Sequence, residues 1–505
     1  MTFEPSIQQQ NLFAAVRSPS RGSIIVDAKA GSGKTTSIIE ATRFMEGSIF
    51  LGAYNAKMAK ELKERCAAMP NVFAATFHSA GYQAIRRAFP RVGKPDDKKV
   101  ANIIVAYINE KGRNDLEPVA RSLAAIVSMA KQRGIGALPQ FPNTYAIWLD
   151  MIDHFGLDQN LPEDYTDMVS LVELAQEILR RSNDQTFIID FDDMVYLPLK
   201  LNLRLFANDW VLIDEAQDTN PTRRALARKM LKRGGRLVAV GDPNQAIYGF
   251  SGADNDALDQ IRRDFDAETL PLSVTYRCPK SVVTLAQQYV AGIEAHEANA
   301  DGEVLPLDYK DIAKTVRPGD AILCRYNKYL VSLAFRLIRE GIAARIEGRA
   351  IGAGLVALVN KWKVSDLDML RGRVEAWMQR ECKKALDQKN DSKAMQIEDR
   401  GETLLVLIDR AEDQQIRTVS GLRSMIEGLF DDRVVDNKSM VTLCSVHRSK
   451  GLEWERVFLL GREELMGREC RQYWQTQQEV NLIYVAVTRA QKTLFDVYGV
   501  KEDRK

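Results

Sequence analysis

Cysteine and histidine are scarce in this chain. Six cysteines and four histidines stand among 505 residues. The cysteines (Cys66, Cys278, Cys324, Cys382, Cys444 and Cys470) are widely separated and form no Cys-x-x-Cys pair. That argues against a zinc or iron–sulfur site and for reduced thiols in a cytoplasmic setting. No apolar run approaches the length of a membrane span, so no membrane partner is expected. Met1-Thr2-Phe3-Glu4-Pro5 carries no basic region followed by an apolar core, so no secretory signal is expected either. A strong charge of one sign is also missing. The net charge of +2 gives no global basic field, so a nucleic-acid partner needs a local track of basic and aromatic residues. The rest is ordinary for a globular chain, with 45% apolar and 27% charged residues. The length suits about three or four domains.

The most informative stretch is Ala28-Lys29-Ala30-Gly31-Ser32-Gly33-Lys34-Thr35. It follows an apolar run, Ser23 to Val26, that reads as a buried strand, and it precedes a helical pattern from Thr36 to Ala41. Strand, glycine-rich loop and helix is the context of a phosphate-binding loop. Gly31 and Gly33 let the backbone curl so that successive N–H groups face an anion, and the helix N-terminus adds its positive end. Lys34 can reach the outer phosphates of a nucleotide and the Thr35 hydroxyl can hold Mg²⁺. The alternative is a glycine-bearing turn that binds nothing. Upstream, Gln9 can read an adenine edge with its amide or can simply open a polar helix start.

Further strand ends carry polar and aromatic groups. Ser48 to Ala53 reads as a strand that runs into Tyr54-Asn55-Ala56-Lys57, and Val72 to Ala75 as one that ends in Thr76-Phe77-His78-Ser79. Open α/β sheets bind ligands at such ends. Tyr54 and Phe77 are candidates for base stacking, with burial in the core as the competing fate. Trp210 to Ile213 is an apolar strand capped by Asp214-Glu215-Ala216-Gln217-Asp218. Two adjacent carboxylates there call for a cation. Asp214 is the candidate ligand for a phosphate-bound Mg²⁺, and Glu215 the candidate to deprotonate an attacking water. Arg236 to Val240 leads to Gly241-Asp242-Pro243-Asn244-Gln245, where Gln245 can sense the outermost phosphate, and then to Phe250, a stacking candidate.

Two regions lose the strand pattern. Residues 81–187 are amphipathic helices with recurring basic residues (Arg86, Arg87, Arg91, Lys94, Lys98, Lys99, Lys131 and Arg133), read singly as a solvated face. Residues 352–439 are helical, charged and strand-poor, and Lys383 to Glu402 reads as an exposed helix pair. Between them Ala321 to Arg325 and Leu330 to Arg339 give a second strand and helix block, and the strand pattern resumes at Met440 and Arg456. The expected organisation is α/β. Its first domain is 1–80 and 188–264 with a helical insertion at 81–187. Its second is 265–351 and 440–505 with a reduced insertion at 352–439. Asp190-Phe191-Asp192-Asp193 is read as a structural cluster at the return from the first insertion rather than a second metal site. Arg489, at the end of an apolar helix-like run, would by itself be a surface residue.

The motifs stand in a fixed order: Gln9, the Ala28–Thr35 loop, Ala53 to Lys57, Thr76 to Ser79, Asp214 to Asp218, Gly241 to Gln245, Thr275-Tyr276-Arg277, His447-Arg448-Ser449-Lys450-Gly451-Leu452-Glu453-Trp454, and Tyr484 to Ala490. In this the chain resembles the UvrD/Rep-like family of superfamily 1 DNA helicases, over most of its length outside the two insertions. The resemblance implies two RecA-like P-loop motor domains with parallel sheets, each carrying a mainly α-helical insertion. It implies ATP and Mg²⁺ as cofactors. Lys34, Asp214, Glu215, Gln245, Arg277 and Arg489 would be catalytic. Gln9, the loop residues Ala28, Lys29, Ala30, Gly31, Ser32, Gly33, Lys34 and Thr35, with Thr36, Tyr276, Arg277, Glu453 and Arg489, would hold the nucleotide, and Thr35 and Asp214 the metal. Tyr54, Asn55, Lys57, Thr76, Phe77, His78, Phe250 and His447 would line a track for single-stranded DNA. The implied activity is a helicase or single-strand translocase, 3′ to 5′, acting on single strands and single/double-strand junctions in the cytoplasm of a bacterial or phage-infected cell, at the nucleoid, alongside replication or recombination proteins. Stacking on aromatics is sequence-tolerant at about 1–3 kcal/mol per base, which a motor passing over any sequence needs.

Three positions depart from the family pattern: Ala28 stands at the loop's usual first glycine, Asn244 at a frequent acid and Ser251 at a common arginine. The compact length suits a phage-encoded or accessory helicase. The competing functions are a translocase that strips bound protein with little unwinding, an ATP-switched DNA-binding subunit, and a small-molecule kinase. The intact charged set argues against the switched subunit, and the second α/β domain with Arg489 against the kinase.

Overall fold

The computed structural model describes residues 4–19, 22–162, 165, 167–249, 252, 256–347, 349–387, 391–430, 440–467, 470 and 473–500. The chain forms two compact units, Met1–Ser273 and Val274–Lys505.

The first unit is built on six parallel strands: β1 (Ile24–Ala28), β2 (Ile49–Ala53), β3 (Val72–Thr76), β4 (Asn208–Ile213), β5 (Leu231–Gly241) and β6 (Glu268–Leu272), in the order β3-β2-β4-β5-β1-β6. Parallel sheets are covered on both faces, so their inner strands read as unbroken apolar runs. Every residue of β2 is buried, as are the last four of β4. Helices Ile7–Arg17 and Lys34–Thr42 pack on one face around Leu12, Ile38 and Leu51. The other face holds Phe50, Phe77, Leu226 and Ile261.

Between β3 and β4 lies the helical insertion: Lys99–Lys111, Ala120–Arg133, Tyr145–Phe155 and Met168–Asp184, around a core of its own that includes Ile104, Ile126, Trp148 and Ile178. The basic residues of this region do not share one fate. Lys99 and Lys131 are not on a solvated face; they are 1% and 0% exposed. Lys99 Nζ lies 2.6 Å from Asp193 Oδ2, and Lys131 Nζ lies 2.5 Å from Asp190 Oδ2 and 2.7 Å from Asp193 Oδ1. Buried ammonium groups need such partners. The acidic cluster therefore bolts the returning chain to two insertion helices, and Asp192 takes a hydrogen bond from Ser128 Oγ at 2.5 Å.

The second unit opens with a two-stranded pair, β7 (Val274–Thr275) and β8 (Glu294–Ala295). Its main sheet is again six parallel strands: β9 (Glu303–Asp308), β10 (Ala321–Cys324), β11 (Ala344–Glu347), β12 (Val441–Ser445), β13 (Trp454–Leu460) and β14 (Ala490–Tyr498), in the order β11-β12-β10-β13-β14-β9. Helices Arg349–Lys361, Leu367–Asp387, Asp391–Asp413 and Val419–Leu429 interrupt it between β11 and β12. The two long ones cross so closely at Gly401 that a Cβ there would meet Met378 Sδ at 2.0 Å.

The expected boundary at 264/265 shifts. Glu268–Leu272 pairs in parallel with Ile24–Ala28, so it closes the first sheet rather than opening the second unit. Its sequence, Glu-Thr-Leu-Pro-Leu, hides this, because Pro271 is tolerated in a strand only at an edge, and β6 is one. The expected cuts at 80/81 and 351/352 fall inside the helices Phe77–Ala88 and Arg349–Lys361.

Candidate functional site

In the first unit the phosphate loop leaves β1 and enters the helix Lys34–Thr42. Gly31 and Gly33 both take left-handed φ (73° and 79°), and Gly33 is the helix N-cap. Ala28 and Ala30 are fully buried. The Lys29 N–H donates to Leu272 O (2.9 Å), and its ammonium lies 3.1 Å from Asp27 Oδ1. Thr36 accepts from Arg65, outside the loop's concavity. Lys34 Nζ is enclosed, has no hydrogen-bond partner and sits 4.0 Å from Glu215 Oε1. The buried Ser32 hydroxyl is likewise without a partner. Native proteins rarely strand buried donors, so each asks for a ligand or a role. Thr35 Oγ1 donates to Asp214 Oδ2 at 3.0 Å. Burial and the Glu215 carboxylate push the Asp214 pKa up. Left-handed glycines, an ammonium without a hydrogen bond and a hydroxyl bonded to a buried carboxylate fit a polyphosphate with a hard divalent cation.

Glu215 is held in a left-handed conformation (φ 52°), uncommon for a residue with a Cβ. Its N–H donates to Asp214 Oδ1 (3.0 Å) and its carboxylate accepts from Gln217 Nε2. Gln245 is buried and donates to Asp242 Oδ2 (2.8 Å). Gln9 is buried in a capping box. Its Oε1 accepts from Ser6 N (2.9 Å) and its Nε2 donates to Ser37 Oγ (2.9 Å), beside Gly33. Both of its amide functions are thus engaged within the protein.

A crevice at the carboxyl ends of β2, β3 and β4 joins these carboxylates to the expected nucleic-acid residues; Tyr54, His78, Asp214, Glu215 and Arg223 line it. The rings of Tyr54 and Tyr248 stack at 5.8 Å with planes 6° apart, and the Arg223 guanidinium lies 5.0 Å over Tyr54. Arg223 and Tyr248 were not singled out in the sequence. A basic residue one turn after a helix N-cap (Asn220) is an ordinary pattern, and a tyrosine three residues past Gln245 has no spacing signal. Phe77 is core, 3% exposed against Phe50, and fills the space above Gly52. It offers no face to a base. Asn55 and Thr76 are helix N-caps, accepting from Met58 N and Ser79 N. Lys57 is exposed. Burial and Arg223 push the His78 pKa down to about 4, so His78 is neutral at pH 7. Phe250 and Ser251 lie outside the described residues.

In the second unit, Tyr276 is 43% exposed and its ring lies 4.8 Å from His296. Arg277 pairs with Glu453, whose other oxygen accepts from Gln491 (2.9 Å). Arg489 is 1% exposed, not at the surface. It donates to Val485 O (2.7 Å), Leu452 O (3.1 Å) and Thr488 Oγ1 (3.1 Å), bonds that a buried guanidinium needs. Burial and the charges of Arg325 and Lys450 push the His447 pKa down to about 3. Among the described residues no group of three or more metal-ligating side chains occurs, and no helix is long and apolar enough to cross a membrane.

Residues 8–266 match the UvrD/REP helicase N-terminal domain, and residues 372–500 match the UvrD-like helicase C-terminal domain. The ATP-dependent DNA helicase UvrD2 of Mycobacterium tuberculosis (strain H37Rv) is 25% identical over 94% of this chain and 76% of its own length. The ATP-dependent DNA helicase PcrA of Staphylococcus epidermidis (strain ATCC 12228) is 22% identical over 95% of this chain and 82% of its own. DNA helicase II of Haemophilus influenzae is 25% identical over 54% of this chain and 38% of its own.

Proposed function

This chain belongs to the UvrD/Rep helicase family and is an ATP-dependent DNA helicase; we propose that it moves along single-stranded DNA, 3′ to 5′, by coupling ATP hydrolysis to stepping. The observation that carries the reading is Lys34, an enclosed ammonium without a hydrogen bond, beside a carboxylate pair and the Tyr54–Tyr248 stack. Lys34 and the loop N–H groups bind the phosphates. Thr35 and Asp214 would hold Mg²⁺, which would supply neutralising charge to the phosphates. Glu215 orients a water and accepts its proton. Gln245 senses the outermost phosphate. Tyr276 stacks on adenine, Glu453 touches the ribose, and Gln9 reads the base once it exchanges a capping bond for it. Arg277 and Arg489 stabilise charge on the transferred phosphoryl group, a role worth roughly 10³–10⁵ in rate. Arg277 must then leave Glu453, and Arg489 the carbonyls of Val485 and Leu452. Tyr54, His78, Lys57 and His447 contact the strand.

The site of action is the cytoplasm, on single strands and single/double-strand junctions, with replication or recombination proteins as neighbours. The short second insertion, four helices within 349–429, favours a variant of this reading in which the motor strips bound protein better than it unwinds. Displacement of streptavidin from end-labelled oligonucleotides tests the polarity. A 3′-to-5′ motor clears the 5′ end quickly. Clearance of the 3′ end alone would reverse the polarity, and clearance of neither would remove the translocase reading.

A further inference from the structure

We infer that Gln217 is a positioning residue that fixes the Glu215 carboxylate and ties it to the loop following β5, so that the state of this loop reaches the water-activating base. The inference rests on the role proposed above for Glu215.

Gln217 is 1% exposed, and both ends of its amide are committed. Nε2 donates to Glu215 Oε2, and Oε1 accepts from Asp242 N at 3.0 Å. The fit leaves no room to spare: a Cβ on Gly241 would stand 2.5 Å from Gln217 Oε1 and 3.0 Å from its backbone nitrogen. Position 241 is thus glycine because the glutamine side chain occupies the space. Beyond Asp242 the bonding continues. Its carboxylate accepts from Asn244 N (3.1 Å) and from Gln245 Nε2 (2.8 Å). Three residues further on, Tyr248 stacks on Tyr54.

A side-chain amide offers a donor to a carboxylate and an acceptor to a backbone N–H from one short planar group. A carboxylate at position 217 could take the Asp242 N–H but could not donate to Glu215, and a thioether of similar length could do neither. A shift of the 241–245 segment must therefore carry Gln217 with it or strand a buried carbonyl oxygen, and unmade buried bonds are expensive. The shift is then felt at Glu215, whose carboxylate accepts from the Gln217 amide. Gln245, bound to the same Asp242, gives the phosphate sensor and the base a common anchor. Hydrogen bonds thus run from Glu215 through Gln217 to Asp242 and Gln245, and the chain itself carries on from Gln245 to the stacked Tyr248.

The test is steady-state ATP hydrolysis with and without single-stranded oligothymidine, on the full chain carrying Gln217→Met, Gln217→Glu or Glu215→Gln. Both Gln217 variants are expected to lower kcat at saturating DNA by about 10²-fold, the usual effect of a misaimed catalytic group. KM for ATP and Kd for the oligonucleotide should stay within about twofold of native, and the DNA stimulation ratio should fall towards one. Overturning results are native kcat and stimulation in both variants, or KM and Kd rising in step with the loss of kcat, which would mark general loosening. If Glu215→Gln is inactive while both Gln217 variants behave as native, the coupling alone fails. If Glu215→Gln turns over normally, Glu215 is not the base and the inference falls with it.

Discussion

Asp193→Asn will destabilise the first unit more than any surface substitution. Asp193 is fully enclosed and receives Lys99 at 2.6 Å and Lys131 at 2.7 Å on its two oxygens, and it also accepts from Asp190 N. Two ammonium groups are thus balanced by two carboxylates, those of Asp190 and Asp193. Asparagine keeps the shape and removes one charge, leaving two buried ammonium groups to one carboxylate. Breaking a buried ion pair from one side costs about 3–5 kcal/mol. For a unit of this size each kcal/mol shifts Tm by roughly 2–4 °C, so a fall of roughly 6–20 °C is expected. Equilibrium urea unfolding followed by circular dichroism reads the same quantity where heating is irreversible. The paired replacement Lys99→Met with Asp193→Leu removes one charge of each sign and should recover much of the loss. An Asp193→Asn protein within about 1 kcal/mol of native would mean that the cluster is hydrated or exchanges partners, and the reasoning would fail.

Asp192 adds a pH dependence. Burial, with the neighbouring Asp190 charge, pushes its pKa from 3.8 up to about 6. The folded chain therefore holds a proton that the unfolded chain has released. Stability falls as pH rises from about 4 to 6, by on the order of 2 kcal/mol, and Asp192→Asn should flatten that decline in urea titrations run at several pH values. Because His78 is neutral at pH 7, His78→Asn should weaken oligonucleotide binding without changing its salt slope. Lys57→Ala should reduce that slope by about one, as loss of a phosphate contact does. Tyr54→Ala and Tyr248→Ala should each weaken single-strand binding by about 1–3 kcal/mol in fluorescence titrations. The double variant should lose less than the sum, because the two rings support one another.

The sheet strands were legible because parallel strands buried on both faces leave unbroken apolar runs, as at Ile24 to Val26 and Trp210 to Ile213. β6 was not, since an edge strand tolerates polar residues and Pro271. The phosphate loop and the carboxylate pair were legible because their chemistry fixes both residue type and neighbourhood. Buried lysines are the opposite case. Nothing local separates Lys131 from Arg133, two residues on, and only the partners supplied from Asp190 and Asp193 decide that one is enclosed. Arg489 misleads in the same way, since it donates to backbone carbonyls that no sequence pattern displays. Phe77 and Tyr54 carry the same type of signal at neighbouring strand ends, yet one fills the space above Gly52 and the other stacks in a crevice. Gln217 was visible as a letter between the carboxylates and β5, but its two-sided bonding depends on a glycine 24 positions away.

The most direct measurement is steady-state ATP hydrolysis by the native chain, with and without single-stranded DNA, beside Lys34→Ala. DNA should raise the native rate strongly, and loss of the Lys34 ammonium should abolish hydrolysis in both conditions while the oligonucleotide still binds. Native hydrolysis indifferent to DNA, or a Lys34→Ala protein that keeps its DNA-stimulated rate, would contradict a DNA-coupled motor driven from this phosphate loop.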